Sequence, residues 1–277
     1  MNAATASLNA LGIVAPPIAS EIAFRLWSSL GTPDRLAERD RATHEHATRG
    51  QIDVRGKAVT TYRWGDGPRL VVLVHGWRSR ASRFAPIVER LRDPMTRIVA
   101  FDAPGNGDSP GDFVTIDEYV DAIRTITAEH GPADTIIGHS FGALSAMVAV
   151  REGVRANRLV SIAGIADADQ MITIVAREAN LTRSTVRGLR RRIERRVFTD
   201  QIDPWRRYVA EINPADVHVP LLLVADSGDP RVPLENLQRM AEAHTGEVSR
   251  LITTGWGHNR ILRAPEVVDA VGDFVER

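Results

Sequence analysis

Twelve residues, Thr135-Ile136-Ile137-Gly138-His139-Ser140-Phe141-Gly142-Ala143-Leu144-Ser145-Ala146, read as a short apolar strand, a tight turn and the opening of a helix. Within them Gly138-His139-Ser140-Phe141-Gly142 satisfies G-x-S-x-G, a strained strand-to-helix corner in which both glycines let strand, turn and helix approach closely. Such a corner exposes Ser140 at the carboxyl edge of a sheet. The helix behind it turns free N–H groups and a positive dipole end toward the serine, which favours negative charge developing there. The rest of the chain reads as support for this corner.

Residues 18–30 place Ile22, Leu26, Trp27 and Leu30 at helical spacing before Gly31-Thr32-Pro33 stops the run. This amphipathic helix, and a polar one expected over 34–48, are expected to pack on the main domain rather than to lie on a membrane, because the segment is short and its charge mixed. From Gln51 the pattern becomes strands. Ile52-Asp53-Val54 and Ala58-Val59-Thr60-Thr61-Tyr62 alternate as a half-buried hairpin, and Leu70-Val71-Val72-Leu73-Val74 is a continuous apolar run suited to a parallel strand covered on both faces. Helix, strand and helix follow at 82–91, 97–101 and 115–130, then the corner strand and its helix. Further strands are expected at 159–164, 220–225 and 250–253, with a closing helix at 265–277. Strands alternating with helices require a mostly parallel sheet with right-handed crossovers, and the gap between Gly164 and Val219 requires an insertion.

A chain of 277 residues can hold one large α/β domain with such an insertion. Its 35 basic and 35 acidic side chains cancel, so no overall field favours nucleic acid or an anionic surface. Cysteine is absent, which removes disulfides, thiolate catalysis and cysteine-based metal sites. The first twenty residues lack a basic leader and carry Pro16-Pro17 inside their apolar run, so neither a signal peptide nor a membrane span is expected, and the cytoplasm is the expected compartment. No metal cluster or phosphate-binding glycine loop is evident, and no cofactor is expected.

Four landmarks make the chain, from Gln51 to Arg277, resemble the α/β-hydrolase fold family, of the serine esterase and lipase kind with a helical cap. They are His75-Gly76-Trp77 after the third strand, Asp102-Ala103-Pro104-Gly105-Asn106-Gly107-Asp108-Ser109 after the fourth, the corner at Ser140, and Gly257-His258 after the eighth. Asn106 stands where the family often has histidine, at a position that is not catalytic there. The resemblance implies a mostly parallel eight-stranded sheet with helices on both faces. It also implies an extra N-terminal helical segment over 1–50, a core formed by 51–164 and 217–277, and a helical cap over 165–216, inserted after the sixth strand. Helical patterns within the cap are expected near 167–179, 182–197 and 203–211, the second carrying a dense run of arginines expected to stay in water.

The chemistry can be argued from the residues. A serine hydroxyl is a poor nucleophile at neutral pH, so it needs a base within hydrogen-bond reach, and the base needs an acid to fix its tautomer. His258 follows the last strand in a loop with glycines on both sides of Trp256, which lets it fold back over the sheet edge. His139 is directed away by the corner and reads as packing. His75 reads as a hydrogen-bonder of the loop behind the oxyanion turn, and His44, His46, His130, His218 and His244 as surface or edge residues. For the acid, Ala225-Asp226-Ser227-Gly228-Asp229-Pro230-Arg231-Val232-Pro233 resembles the family's acid loop with Asp229 at the acid position. Asp226, and more distantly Asp167 or Asp169, remain open. An oxyanion needs two donors, the backbone N–H of Phe141 and, from the turn after the third strand, that of Trp77.

The expectation is therefore a serine hydrolase acting on a carboxylic ester or related small acyl compound with water, using Ser140, His258 and Asp229. Serine at the nucleophile position argues against haloalkane dehalogenase or epoxide hydrolase chemistry, which place aspartate there. A thioesterase, a carbon–carbon bond hydrolase, a cofactor-free perhydrolase, or a small-molecule receptor that retains the triad could carry the same residues.

Overall fold

A computed structural model describes residues 12, 14–199, 201–211 and 217–277. The reading of the first twenty residues falls largely outside these, as does the end of the expected insertion at 212–216. Among the described residues no helix is long and apolar enough to cross a membrane.

The sheet has eight strands in the order β1-β2-β4-β3-β5-β6-β7-β8. β1 (Thr48–Val54) and β2 (Lys57–Trp64) form an antiparallel hairpin, and β2 pairs antiparallel with β4 (Thr96–Asp102). The hairpin turns on Arg55 and Gly56, with φ of 55° and 78°. Two positive φ values give the turn a twist that matches the strands it joins. The remaining strands run parallel: β3 (Arg69–Val74), β5 (Ala133–His139), β6 (Ala156–Ile162), β7 (Leu221–Asp226) and β8 (Val248–Thr253). Leu70 to Val74 are all at most 2% exposed, which is why this run shows no alternation.

Helices cover both faces. α2 (Glu38–Glu45) precedes the sheet, α3 (Ala85–Leu91) links β3 to β4, α4 (Ile116–His130) links β4 to β5, and α5 (Phe141–Arg151) links β5 to β6. On one face Ile87, Val88 and Leu91 of α3 join Val71, Leu73 and Ile98 of the sheet and Val267, Val271 and Phe274 of the C-terminal helix in one core. α4 starts on a reciprocal cap: Thr115 Oγ1 accepts from Glu118 N while the Glu118 carboxylate accepts from Thr115 N. α2 is tied down by Trp64 Nε1, which donates to Thr43 O at 2.7 Å, and by Arg263, which pairs with the buried Asp40 at 2.6 Å.

Among the described residues, those up to Leu30 group with Asp167–Val209 as one compact unit, and those of Gly31–Ala166 with those from Ala210 onward as another. The segment 1–50, expected as a single extension, is thus divided at Gly31, and α2 belongs with the sheet. The first unit contains α1 (Pro16–Ser28), α6 (Asp169–Glu178), α7 (Arg183–Arg196) and the short α8 (Pro204–Arg207).

Inside this unit α1 lies against α7, and its orientation differs from the sequence expectation. Ala19, Ser20 and Ala23 are its buried residues, whereas Ile22 and Leu26 are 38% and 46% exposed. The reason is the closeness of the two backbones: a Cβ on Gly188 of α7 would stand 2.0 Å from Ser20 Oγ. Only small residues fit such a seam. Glu21 then locks it, accepting from Arg192 Nε at 3.1 Å and Arg196 Nη1 at 3.1 Å, and these bonds hold its carboxyl down at about 2.

Candidate active site

β5 delivers the chain to Ser140, whose φ of 55° and ψ of −119° are a backbone strain that a serine adopts only where surroundings enforce it. Ser140 N donates to Ile162 O of β6 at 2.9 Å, pinning the corner. Both glycines of the motif are required by contact. A Cβ on Gly138 would meet Ala143 Cα at 2.4 Å, and one on Gly142 would meet Val74 O at 2.2 Å. Those obstacles are backbone and cannot swing aside. Gly142→Ala is therefore expected to lose about 3 kcal/mol or more of stability by overpacking. Urea unfolding checks this, and an unchanged midpoint would show that the corner has slack the contacts deny.

β7 ends at Asp226 and its loop carries Asp229; β8 ends at Thr253 and its loop passes Gly255 and Gly257, at φ of 88° and 65°, into the short helix α10 (Gly257–Arg260). His258 Nε2 lies 3.0 Å from Ser140 Oγ, and His258 Nδ1 lies 2.7 Å from Asp229 Oδ2. The other oxygen of Asp229 accepts from Arg231 N at 2.7 Å and Val232 N at 3.1 Å. Burial pushes the Asp229 carboxyl up, but the bond from His258, its charge and the two backbone donors outweigh it, leaving the group below its ordinary value. An ionised Asp229 fixes the proton of His258 on Nδ1, which leaves Nε2 free to accept from Ser140.

Asp226 has a different job. Its Oδ1 accepts from Gly228 N at 2.9 Å, and its Oδ2 from Thr253 Oγ1 at 2.8 Å and Trp256 N at 3.0 Å. It is 1% exposed and ties the loop of Asp229 to the loop of His258. Asp167 and Asp169 are engaged elsewhere: Asp167 Oδ1 accepts from Gln170 N, and Asp169 pairs with Arg190 at 2.6 Å.

Phe141 follows Ser140 as the first residue of α5, its ring edge-on to Tyr119 at 5.2 Å. Trp77 sits in the turn after β3, half-buried, with the Arg78 guanidinium 3.9 Å above its ring. The turn lies close to Ser140, since a Cβ on the neighbouring Gly76 would stand 3.1 Å from Ser140 Cβ. His75 holds the turn from behind: its Nε2 accepts from Ala103 N at 2.9 Å, so Nδ1 carries the proton and donates to Gly76 O at 2.6 Å. Burial keeps it neutral, with its pKa below the usual histidine range.

The loop after β4 rests on a polar cluster that the sequence reading did not find. Asp102, wholly buried, accepts from Ala81 N at 2.7 Å, Tyr62 Oη at 2.8 Å and Asp108 N at 2.8 Å. Arg80, 4% exposed, donates to Asp108 Oδ1 at 3.0 Å and Asp34 O at 3.1 Å. Gly107 is fixed by this arrangement, because a Cβ there would fall 2.0 Å from Asp102 Oδ2.

His139, expected as packing, also makes a bond: its Nε2 donates to the backbone O of His258 at 2.8 Å, and the two rings are 5.0 Å apart. Burial, then the neighbouring His258, lowers its pKa to about 3. The unfolded value is higher, about 6.5, so protonation favours the unfolded chain. The contribution is full above pH ~6.5 and is lost as pH falls toward the folded value. Between about pH 6.5 and pH 4.5 this one group should remove about 2–3 kcal/mol of stability. His139→Gln should flatten that part of the profile; equal slopes for the two proteins would refute the assignment.

Among the described residues no group of three or more histidine, aspartate or glutamate side chains is arranged to hold a metal.

The sequence pattern of the Alpha/beta hydrolase family matches residues 71–271. A pimeloyl-[acyl-carrier protein] methyl ester esterase of Xanthomonas campestris pv. campestris (strain B100) is 38% identical over 101 residues, 36% of this chain and 38% of that protein. This chain thus matches little more than a third of that relative's length. Among solved structures, an esterase of Pyrococcus furiosus aligns with a TM-score of 0.66 at 19% identity, covering 89% of this chain and 97% of that one. The mouse alpha/beta hydrolase domain-containing protein 10 aligns with a TM-score of 0.66 at 17% identity, covering 83% and 99%. At these identities the two structures speak for the fold alone.

Proposed function

The chain belongs to the alpha/beta hydrolase family, and from that premise we propose that it is a serine hydrolase cleaving carboxylic esters through an acyl-enzyme. The observation that carries this reading is the unbroken hydrogen-bonded line from Asp229 through His258 to Ser140, at 2.7 and 3.0 Å. Ser140 Oγ attacks the ester carbonyl while His258 Nε2 takes its proton. The oxyanion is held by the N–H groups of Phe141 and Trp77, at the positive end of α5. Asp229 steadies the imidazolium that forms. His258 then gives the proton to the leaving alkoxide, and the alcohol departs. Water enters, His258 removes its proton, and the hydroxide attacks the acyl-Ser140 carbonyl. Collapse of that second intermediate releases the acid and returns the proton to Ser140.

The ester class is supported by the partial match to a methyl ester esterase. The segment 167–209 is the part of the chain we assign to setting the substrate range, in the manner of a cap. The test is a panel of p-nitrophenyl esters of rising acyl length, run beside a fluorophosphonate probe. Turnover together with a label mapped to Ser140 is expected. A protein that neither turns over nor labels would be a binding module, and a label elsewhere would remove Ser140 from the reaction.

A further inference from the structure

Two rows of side chains on the helical unit stand unabsorbed by that reading. On α1, Ile18, Ile22 and Leu26, with Val14 just before the helix, recur at every fourth residue and are 56%, 38%, 46% and 85% exposed. Single exposed aliphatics are ordinary on a protein surface, but three in one line along a helix, with a fourth just ahead of it, form an apolar ridge. On α7, Arg183, Arg187, Arg191 and Arg195 repeat at the same interval and are exposed. Among the described residues none of these four arginines has a carboxylate partner, whereas Arg190, Arg192 and Arg196 are paired with Asp169 and Glu21.

The two rows share a face. Each helix has a buried side, Ala19 and Ala23 on α1 and Leu189 and Ile193 on α7, and each meets the other through the seam of Ser20 and Gly188. At 100° per residue the seam lies at the flank of each buried side, not at its centre, so both buried sides turn the same way and the sides opposite them face outward together. Between the rows runs the clamp of Glu21 with Arg192 and Arg196, which holds the helices side by side. Arg25, whose side chain is 79% exposed, adds a further cation beside the ridge.

We propose that this face docks on an anionic lipid bilayer, the ridge entering the headgroup boundary and the arginine row meeting lipid phosphates and carboxylates. The charge of the chain supports this occupant. Residues 1–30 and 167–209 hold eleven arginines against seven carboxylates, so the balanced total hides a basic helical unit and an acidic remainder. A helix that presents an apolar stripe beside a row of arginines has the composition of an interfacial anchor. A second copy of the chain is disfavoured, because a two-fold pairing through this face would set arginine rows side by side at short range. The earlier grounds against a membrane surface, a short segment of mixed charge, applied to the N-terminal helices read by themselves; α7 supplies the cations.

The full chain would be mixed with large vesicles of phosphatidylcholine alone, or with about one-third phosphatidylserine, and sedimented. Binding is expected to the anionic vesicles and not to the neutral ones. It should weaken between about 0.1 M and 1 M salt, where the screening length falls from ~10 to ~3 Å. Arg191→Gln/Arg195→Gln should lower the partition coefficient about twenty-five-fold, at roughly fivefold per arginine. Ile18→Ser/Ile22→Ser should lower it at least about tenfold. All four positions are partly or wholly exposed, so melting curves should stay unchanged and certify the fold. Absence of binding to either vesicle would overturn the proposal. So would vesicle binding that needs the arginines but not Ile18 and Ile22, because the ridge would then not enter the headgroup boundary. A concentration-dependent dimer, broken by Ile18→Ser/Ile22→Ser in protein that ignores lipid, would assign the face to a second copy.

Discussion

Ser140→Ala is expected to lower kcat for an activated ester by on the order of 10⁶ while leaving the fold in place. The size follows from the geometry: Ser140 Oγ is the atom 3.0 Å from His258 Nε2, and without it the base has nothing to activate and no acyl-enzyme can form. What remains is attack by bulk water on an ester still polarised by the Phe141 and Trp77 N–H groups, worth far less. The fold should survive because alanine and serine face the same penalty at φ 55° and the corner is pinned through the backbone, by Ser140 N on Ile162 O. The measurement is p-nitrophenyl acetate turnover beside a melting curve and fluorophosphonate labelling. A variant with parental melting that still turned over at more than about a thousandth of the parent rate would sink the assignment, since the proposed reaction runs through the Ser140 hydroxyl bonded to His258.

Asp229→Asn should cost about 10⁴ in kcat, with KM nearly unchanged. An amide at this site still accepts on Oδ1 from Arg231 N and Val232 N, but its NH₂ faces His258 Nδ1. The imidazole must then carry its proton on Nε2, pointing at the serine it should deprotonate. Asp226→Asn is the control and fails differently. Gly228 N, Thr253 Oγ1 and Trp256 N all donate to that carboxylate, so an NH₂ in place of one oxygen opposes a donor in a site that is 1% exposed. Its expected effect is about 1–3 kcal/mol of stability, with a smaller loss of kcat at temperatures well below melting. If Asp226→Asn gave the four-decade loss with parental melting and Asp229→Asn did not, the acid role would belong to Asp226.

The sequence reading reached what is local and missed what is not. The corner at Ser140 was legible because its strand, both glycines and helix are contiguous, and the parallel strands because burial on both faces leaves an unbroken apolar run such as 70–74. Asp226 and Asp229 could not be separated by spacing, since they differ only in which loop atoms meet them after folding. His139 looked like filler because its partner, the carbonyl of His258, is 119 residues away. The cluster of Arg80, Asp102 and Asp108 reads as scattered charges until β2, β4 and the loop after β3 converge. The helix α9 (Leu234–Ala243) lies in a stretch for which no element was named. The clearest misreading was the face of α1: aliphatic periodicity marks a buried stripe only if the partner surface wants bulk, and here Gly188 of α7 wants alanine and serine.

The bond from His139 to His258 joins parts of the chain that are made at different times. Its two ends, like Ser140 and His258, are separated by 119 and 118 residues of chain, so the second is made well after the first. A nascent chain can complete β3 to β6 and form the strained corner before His258 has been made. On the proposed mechanism the serine therefore stays unactivated until β8 and the loop of His258 dock, a step made slow by the length of loop it closes. On the same reading, labelling of Ser140 is a readout of completed folding, expected to be lost in a chain whose β8 has not docked.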